Sequence, residues 1–440
     1  AINALTAWTA YACGRRIFGG SAEGVCASAL YTLASYRLTD VYVRMALGEA
    51  VAMAVLPLFI LGLWEVVFGD RNRWPVLTLG ASAVFLSHIL STVLCGALAA
   101  LVCAVCCVRI VREGRVMAIL KAAGATALVC AFFLVPLVQG MMSGVGMGAL
   151  NSSVSAAALE PSALLAADPD FPLDVGPALL LASALSLYAL CGCAEERAKT
   201  ARRFLLLGAA FALMATDLFP WALLERRTYG AVNFLQFPWR LLMFTDLFLA
   251  LGCGYGLCRL SGENKWKELA APAVLVLCVL AAYPQLTAYT TEDNAPLRYF
   301  SSNTQMITAY AEYTLPGTDL AATKDCGLIS DGVEIAQYEK KGTRISAEVS
   351  SPEGGFVSFP LFGFDGYAAA LDGEKIPWRL GDNNRLTVDL APGAQGEIAV
   401  RFEGRTLWRV FDGVSLLSLA AMAAFAFRRR KGEKVESKQK

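Results

Sequence analysis

Arg44, Glu49 and Arg240 stand at the edges of apolar stretches, where a charge is costly unless it is paired or functional. Arg44 and Glu49 flank the start of an apolar run at 46–68, and Arg240 stands at the start of a run at 238–259. A guanidinium binds phosphate through a bidentate fork, and a helix N-terminus attracts anions. These positions predict an anion-binding site. A structural Arg44–Glu49 pair and an Arg240 that reaches lipid phosphates are the alternatives.

Four further polar residues belong to the predicted substrate-binding set. His88 lies between two apolar runs, where an imidazole either contacts substrate or caps and packs against a helix. Gln236 lies in the same string as Arg240, four residues before it. Asp168 and Asp170 fall in a long loop at 141–174 that carries acidic residues and no basic residue. Loops of that length are usually functional or mobile.

The composition indicates that membrane helices position these residues. The chain has 440 residues, of which 56% are hydrophobic and 17% charged, against about 25% charged in soluble domains. A net charge of +1 gives no basic field for nucleic acid, so no nucleic-acid partner is expected. After a partial apolar run at 1–13, ten apolar runs predict ten spans, at 21–36, 46–68, 74–87, 89–108, 117–140, 175–193, 202–222, 238–259, 268–284 and 408–427.

The basic residues of the loops predict the orientation of these spans, because lysine and arginine concentrate on the cytoplasmic side. The run Arg428–Lys431 places the C-terminus inside, and alternating spans then place most of the loop lysines and arginines on that side. Arg44 and Arg240 fall on the opposite, outer side and require another explanation. Two intramembrane carboxylates, Asp217 and Asp246, lie near the outer helix ends and have either functional or local structural roles.

The polar region 285–407 separates the last two spans and is predicted to form an extracytoplasmic domain. Its later part, from about residue 330, alternates apolar and polar residues at period two between turn sequences, which predicts a small β-sandwich. The expected domains are therefore a helical membrane domain at 1–284, this domain, a final span at 408–427 and a basic cytoplasmic tail at 428–440. The predicted strands are Gly332–Gln337, Arg344–Val349, Phe356–Phe359, Arg385–Leu390 and Glu397–Phe402.

The thirteen cysteines do not predict a disulfide framework, because twelve of them lie in or beside apolar segments. Cys103, Cys106 and Cys107 have the CxxC spacing of a metal site. A zinc site usually needs a second cysteine pair or histidines, and the only histidine, His88, lies at the other end of the Cys103 helix. Close helix packing is the favoured role of these cysteines, and no metal site is predicted.

Four strings resemble the YfhO-like bacterial membrane proteins and their relatives labelled "6-pyruvoyl-tetrahydropterin synthase-related". They are Tyr42–Glu49, Gln236–Arg240, Glu312–Pro316 and Trp408–Gly413. These families look like members of the GT-C superfamily. The resemblance implies a polytopic α-helical, GT-C-like membrane protein with a C-terminal extracytoplasmic β-sandwich, in a bacterial plasma membrane. It also implies that the chain begins within the second helix, and that an outer loop with a catalytic acid precedes it.

The resemblance implies transfer of a sugar from a polyprenyl-phosphate-linked donor to an acceptor of the cell envelope, either a polymer or a lipid. In that function Arg44 and Arg240 bind the carrier phosphate, and Glu49 and Gln236 bind or orient the sugar. Asp168 or Asp170 contacts the acceptor or a metal. The cofactor remains open, with a divalent cation as one option. The alternatives are a transporter of lipid-linked sugars and a non-catalytic envelope scaffold.

Overall fold

Polar groups at both ends of one long apolar helix organise the N-terminal part of the computed structural model. The structure describes residues 1–145, 153–165, 172–261, 269–283, 285–287, 313–319, 321–323 and 327–439. The long helix, α4 (Leu47–Val67), carries Glu49 in its first turn and Glu65 near its last, with apolar residues between them. It is preceded by α1 (Ile2–Phe18), α2 (Ser21–Thr32) and α3 (Ser35–Leu38).

Five further helices follow α4 up to residue 142. They are α5 (Trp74–Ser87), α6 (Ile89–Val105), α7 (Cys107–Arg112), α8 (Val116–Val129) and α9 (Ala131–Met142). Another five come before the β region: α10 (Pro177–Leu190), α11 (Glu196–Met214), α12 (Trp221–Arg227), α13 (Leu242–Ser261) and α14 (Ala270–Ala281). The last helix, α15 (Thr406–Gln439), follows the β region. The described residues form two units, Ala1–Cys130, Asn151–Pro296 and Ala420–Lys440 in one, and Ala131–Leu150 and Leu297–Leu419 in the other.

Glycines allow α4 and α5 to pack with their backbones almost in contact. A Cβ added to Gly62 would lie 2.3 Å from the Cα of Leu77, and one added to Gly80 would lie 2.5 Å from the Cα of Phe59. Any side chain at either glycine would therefore collide with the facing backbone. Small residues that let helices approach this closely are typical of membrane-helix interfaces.

Each end of α4 carries a buried glutamate that pairs with arginines. At its C-terminal end the Glu65 carboxylate accepts hydrogen bonds from Arg16 at 2.6 Å and from Arg73 at 3.2 Å. Arg115 donates to the carbonyl oxygens of Val66 and Gly69, both at 3.0 Å, which satisfies groups that a helix end leaves unpaired. At the N-terminal end of α4, the Glu49 carboxylate lies near Arg44 and Arg240.

The long loop between α9 and α10 is tied to its own unit where it is described. Ser153 and Ser155 both donate to the carboxylate of Glu225 in α12, and Leu159 forms a β-bridge with Thr216. The hydrogen bond from Ser155, with Ser153 adding to it, lowers the pKa of Glu225. These contacts fix the residues 153–165 that the sequence predicts to be functional or mobile.

Two antiparallel sheets form the C-terminal β region. The first has the strand order β1-β4-β8-β7, with β1 (Ile329–Asp331), β4 (Gly355–Phe362), β7 (Arg379–Leu380) and β8 (Arg385–Leu390). The second has the order β2-β3-β9-β5-β6, with β2 (Glu334–Lys341), β3 (Arg344–Ser351), β5 (Tyr367–Leu371), β6 (Glu374–Ile376) and β9 (Ala394–Phe402).

The register of the sheets explains their shared core. Val357 pairs with Val388 in the first sheet, and Ala347 pairs with Ile398 in the second. All four side chains belong to one buried apolar cluster, because alternate residues of each strand point to the same side. In the same unit, Trp408 of α15 donates a hydrogen bond to Gln139 of α9.

Among the residues that the structure describes, three helices are long and apolar enough to cross a membrane: Leu47–Val67, Pro238–Leu260 and Thr406–Ala426. The count becomes four if α8 and α9, which are bent at a short break, form one span. The chain is thus a mostly helical, multi-pass membrane protein with a two-sheet β region before its final apolar helix. The sequence predicts ten spans, of which 21–36 and 74–87 are short enough to be tilted or re-entrant. The structure gives fewer candidates within its described residues, because several apolar runs form helices shorter than a span, such as Ile89–Val105 and Pro177–Leu190.

Candidate functional site

A wide helical turn shapes the segment that joins α3 to α4. Residues Thr39–Val43 form a π-helical turn, in which the Arg44 N–H donates to the Thr39 carbonyl at 2.8 Å. Met45 then adopts a left-handed backbone conformation with φ of 52°, and the chain enters α4. Turns of this kind are rare and are frequent at functional sites, because they redirect side chains that a regular helix would turn away. Here the turn places Asp40 and Arg44 beside the start of α4.

A strained turn at Gln236 forms the facing wall of the site. Gln236 has φ of 67° and ψ of −54°, and the Phe237 N–H donates to the Leu235 carbonyl at 2.8 Å, which closes a γ-turn. This conformation is rare for a residue other than glycine and stores strain. The Leu235 carbonyl also accepts a hydrogen bond from Arg240 at 3.3 Å. The γ-turn therefore holds the guanidinium of Arg240 at the site.

The side chains of Tyr36, Asp40, Arg44, Glu49 and Arg240 form one cluster, which we call the arginine cluster. The carboxylate of Glu49 lies at its centre. Its Oε1 accepts a hydrogen bond from the Tyr36 hydroxyl at 2.6 Å, and its Oε2 lies 3.3 Å from an Arg44 nitrogen. Arg240 Nε is 3.6 Å from the same Oε2, which is an ion-pair distance but too long for a hydrogen bond. Glu49 is 2% exposed, so two guanidinium groups converge on one buried carboxylate.

Asp40 lies on the other side of Arg44 and pairs with it. It is fully buried, and its Oδ2 has no hydrogen-bond partner among the residues that the structure describes. Burial, reinforced by the nearby Glu49 charge, raises the pKa of Asp40 to about 8. The attraction of Arg44 and Arg240 opposes this rise without cancelling it. Asp40 is therefore a buried carboxyl that exchanges its proton near neutral pH, next to two arginines.

Aromatic rings form the floor under both guanidinium groups. The Cζ of Arg44 lies 4.3 Å from the ring centroid of Trp239, and the Cζ of Arg240 lies 5.4 Å from that of Phe237. The two rings are themselves stacked, with centroids 4.7 Å apart. Cation–π contacts of this kind strengthen when water is excluded. The rings thus fix the planes of the two cations from below.

A second buried layer supports the site from behind. The guanidinium of Arg37 donates to the Thr32 carbonyl at 2.7 Å, to the Asn3 side chain at 2.7 Å and to the Thr6 hydroxyl at 2.9 Å. The Arg37 backbone N–H donates to Asp246 Oδ2 at 3.2 Å. Within the described residues the other oxygen, Oδ1, has no hydrogen-bond partner. Arg37 therefore links α1, α2 and α13 below the cluster.

His88 borders the cluster and has a partner of its own. Its Nδ1 lies 2.9 Å from the Ser91 hydroxyl and accepts from the Ser91 N–H, so the imidazole caps the start of α6. A Cβ added to Gly48 would lie 3.6 Å from the His88 ring, which places the ring next to the first turn of α4. Burial lowers the pKa of His88. The structural alternative given for His88, a capping role, is what the structure shows, and its role in substrate binding stays a prediction.

The structure brings together the three charged residues that the sequence predicts to form an anion-binding site. Arg44, Glu49 and Arg240 lie in one cluster. Gln236 shapes the backbone beside it, and no side-chain contact to the cluster is described for it. Asp168 and Asp170 lie outside the described residues, and their predicted roles stay predictions.

Sequence reasoning missed four contributors, Tyr36, Asp40, Phe237 and Trp239. Asp40 stands four residues before Arg44, a spacing that carries an ion pair along a helix and was a usable signal. The aromatic contacts had no comparable signal, because they depend on the two irregular turns.

The cluster has the chemistry of an anion site. Two guanidinium groups face the Glu49 carboxylate, while the neighbouring Asp40 keeps its proton up to about pH 8. Positive charge is thus in excess, and Arg44, at 12%, is its most exposed member. Across the part of the chain that the structure describes, no group of three or more His, Cys, Asp and Glu residues is arranged to hold a metal ion.

Comparison with known proteins gives no independent assignment. No protein-family model, no curated protein and no solved structure matches the chain.

Proposed function

We propose that the protein is a membrane glycosyltransferase that takes a sugar from a polyprenyl-phosphate-linked donor and transfers it to a cell-envelope acceptor. The observation that carries the proposal is the convergence of Arg44 and Arg240 on the buried Glu49, above the stacked rings of Phe237 and Trp239. The resemblance of the same strings to the YfhO-like proteins supplies the reaction class. The membrane helices support a donor that is itself a lipid.

In this proposal the arginines bind the phosphate of the carrier. The incoming phosphate replaces the Glu49 carboxylate as their partner, because it offers more oxygens in the geometry of the guanidinium fork. As the bond between the anomeric carbon and the phosphate oxygen breaks, its electron pair stays on the phosphate. Fixed cations in a water-poor site stabilise that charge more strongly than water does.

In the proposed reaction the ionised form of Asp40, which is the minor form below about pH 8, accepts the proton. The acceptor hydroxyl oxygen forms the new bond to the anomeric carbon, and its proton moves to the free Oδ2 of Asp40 as the hydroxyl attacks. A base with a pKa near the working pH suits this step. This assignment gives the chain a proton acceptor within its described residues.

The proposed orientation places the arginine cluster on the extracytoplasmic side. Arg16, Arg73 and Arg115 lie at the other end of α4, around Glu65. Because basic residues concentrate at the cytoplasmic face, that end is proposed to be inside. The cluster is then extracytoplasmic, in a bacterial plasma membrane, which is where a carrier-linked sugar meets envelope acceptors. The basic run Arg428–Lys431 after the last apolar helix is proposed to be cytoplasmic, which places the β region on the outer side as well.

Transport of a lipid-linked sugar is the second candidate, and one observation favours it. Asp246 is fully buried within a candidate span, and its Oδ1 lacks a partner among the described residues. Intramembrane carboxylates of this kind serve proton relays in transporters. Replacement of Asp246 by asparagine separates the two functions, because a relay loses its proton-driven uptake while a transferase keeps its reaction.

The experiment that tests the proposal measures binding and transfer with the full-length protein in lipid nanodiscs. A short-chain prenyl phosphate is the ligand, and the matching uncharged prenol is the control ligand. Arg240→Ala should weaken prenyl phosphate binding by about 10- to 100-fold, as expected for loss of a charge-assisted hydrogen bond. Arg227→Ala, a change at an exposed arginine of α12, is the matched control and should have no effect.

Transfer is measured with a prenyl-phosphate-linked radiolabelled sugar and membranes that supply the acceptor. The proposal predicts label in an envelope product with the wild type and loss of that label with Arg240→Ala. Equal prenyl phosphate binding by the Arg240→Ala and Arg227→Ala variants would remove the phosphate assignment. A wild-type protein that binds prenyl phosphate but transfers no label would instead indicate an anion-binding transporter or scaffold.

A further inference from the structure

Two cysteines face each other across the interface between α2 and α13. The Sγ of Cys258 donates to the Sγ of Cys26 at 3.7 Å, and both thiols are free. The two residues are 232 positions apart in the chain, so the contact depends on the packing of the two helices. They lie away from the arginine cluster, because Cys258 is near the C-terminal end of α13 and Arg240 precedes its start.

The helices are held unusually close where the thiols meet. A Cβ added to Gly254, one turn before Cys258, would lie 2.8 Å from both the Ala27 Cβ and the Glu23 carbonyl oxygen. With backbones at this separation, the side chains of α2 and α13 have little freedom to move apart. A disulfide has an S–S distance of about 2.05 Å, so the sulfurs, which are 3.7 Å apart, must come closer by side-chain rotation and a small helix shift before they bond.

We propose that Cys26 and Cys258 form a reversible disulfide by exchange with a low-molecular-weight disulfide. Cys258 reacts first, because it is partly exposed whereas Cys26 is 8% exposed. Its S–H first gives up the hydrogen bond to Cys26 and loses its proton to water. The Cys258 thiolate attacks one sulfur of the small disulfide and releases one thiol, which leaves a mixed disulfide on Cys258. Cys26 then attacks the Cys258 sulfur and releases the second thiol. Two protein thiols are oxidised, and one small disulfide is reduced to two thiols.

The cross-link joins the two helices that position the anion site. α2 leads directly into the segment that carries Tyr36, Arg37 and Asp40, and α13 follows Arg240. A covalent bond between α2 and α13 therefore limits the relative movement of these two parts. Because a disulfide that closes a long loop restricts the unfolded chain, the oxidised protein should also unfold at a higher temperature.

The experiment treats the purified protein in nanodiscs with oxidised glutathione, alkylates the remaining thiols and maps them by mass spectrometry. The wild type should lose two alkylatable thiols, yield a peptide pair that joins Cys26 to Cys258, and recover both thiols with dithiothreitol. Cys26→Ser should stop at a glutathione adduct on Cys258. Cys258→Ser should show neither the adduct nor the cross-link.

Cys253→Ser is the matched control, since it removes a buried thiol from the same helix without touching the pair. It should keep the full loss of two thiols. Full alkylation of both Cys26 and Cys258 after oxidation would overturn the proposal. An undiminished loss of two thiols in the Cys26→Ser/Cys258→Ser double variant would also overturn the proposal, because the disulfide would then join other cysteines.

Discussion

Arg44 lies against the indole face of Trp239, with its Cζ 4.3 Å from the ring centroid. The same indole makes an edge contact with Tyr36, whose hydroxyl binds Glu49. Trp239 thus touches both a cation and the residue that fixes the central carboxylate. Trp239 is therefore part of the proposed anion site, because it holds one guanidinium in a fixed plane.

Trp239 should therefore affect anion binding through its ring. Trp239→Phe keeps an aromatic face and should retain most of the prenyl phosphate affinity, whereas Trp239→Leu should weaken binding by about 3- to 30-fold, as loss of a buried cation–π contact implies. Titration of both variants in nanodiscs, with unfolding temperatures recorded alongside, measures the effect. Equal losses in the phenylalanine and leucine variants would show that the indole shape, and not its aromatic face, matters.

Glu49 competes with the proposed phosphate for Arg44 and Arg240. Glu49→Gln keeps an acceptor for the Tyr36 hydroxyl but removes the negative charge, so prenyl phosphate should bind about tenfold more tightly. The variant should also lose about 1–3 kcal/mol of stability, because two buried guanidinium groups lose a charged partner. Unchanged or weaker binding by Glu49→Gln would show that Glu49 does not compete with the phosphate for the two arginines.

Asp40 should give the protein a stability that falls as pH rises. Its pKa in the folded protein is about 8, above the usual value of about 3.9 in an unfolded chain. Between these two values the folded state holds a proton that the unfolded state has released, so the free energy of unfolding decreases with rising pH. The effect is complete above about pH 8.

Asp40→Asn removes this titration while keeping the size of the side chain. The unfolding temperature of the variant, relative to the wild type, should rise steadily from about pH 5 to pH 8 and then stay constant. Tyr42→Phe, a nearby change without a carboxyl, serves as the control for general effects on the segment. A variant that instead loses stability towards pH 8 would show that Asp40 is ionised and acts as an ordinary partner of Arg44.

The sequence predicted the elements with a regular pattern far better than the irregular turns. The predicted strand Arg385–Leu390 agrees with β8 residue for residue, and Arg344–Val349 falls within β3. β5 was missed because its residues, Tyr367–Leu371, include three consecutive alanines and show no alternation. Period-two patterns report burial on one face of a sheet, and a strand of small residues carries none.

In the candidate site, too, the sequence predicted the helix ends but not the irregular turns. Arg44, Glu49 and Arg240 could be predicted to lie close together, because the sequence places all three at helix ends on the same predicted side of the membrane. The contacts that give them their properties could not be predicted. They depend on the π-helical turn at Thr39–Val43 and the γ-turn at Gln236, and neither conformation has a distinct residue pattern.

The contact between α4 and α5 makes the most direct test of the helix packing. Gly62→Ala would place a methyl group 2.3 Å from the Leu77 Cα, and because this atom belongs to a backbone it cannot rotate away. Overpacking of this kind costs about 1–3 kcal/mol or more, so the unfolding temperature should fall and expression should drop. Gly96→Ala in α6 is the matched control, because its added Cβ meets nothing within 4 Å. There alanine should stabilise the helix by about 0.5–1 kcal/mol through its better helix propensity. Equal unfolding temperatures for the two variants would mean that α4 and α5 are further apart than the structure shows.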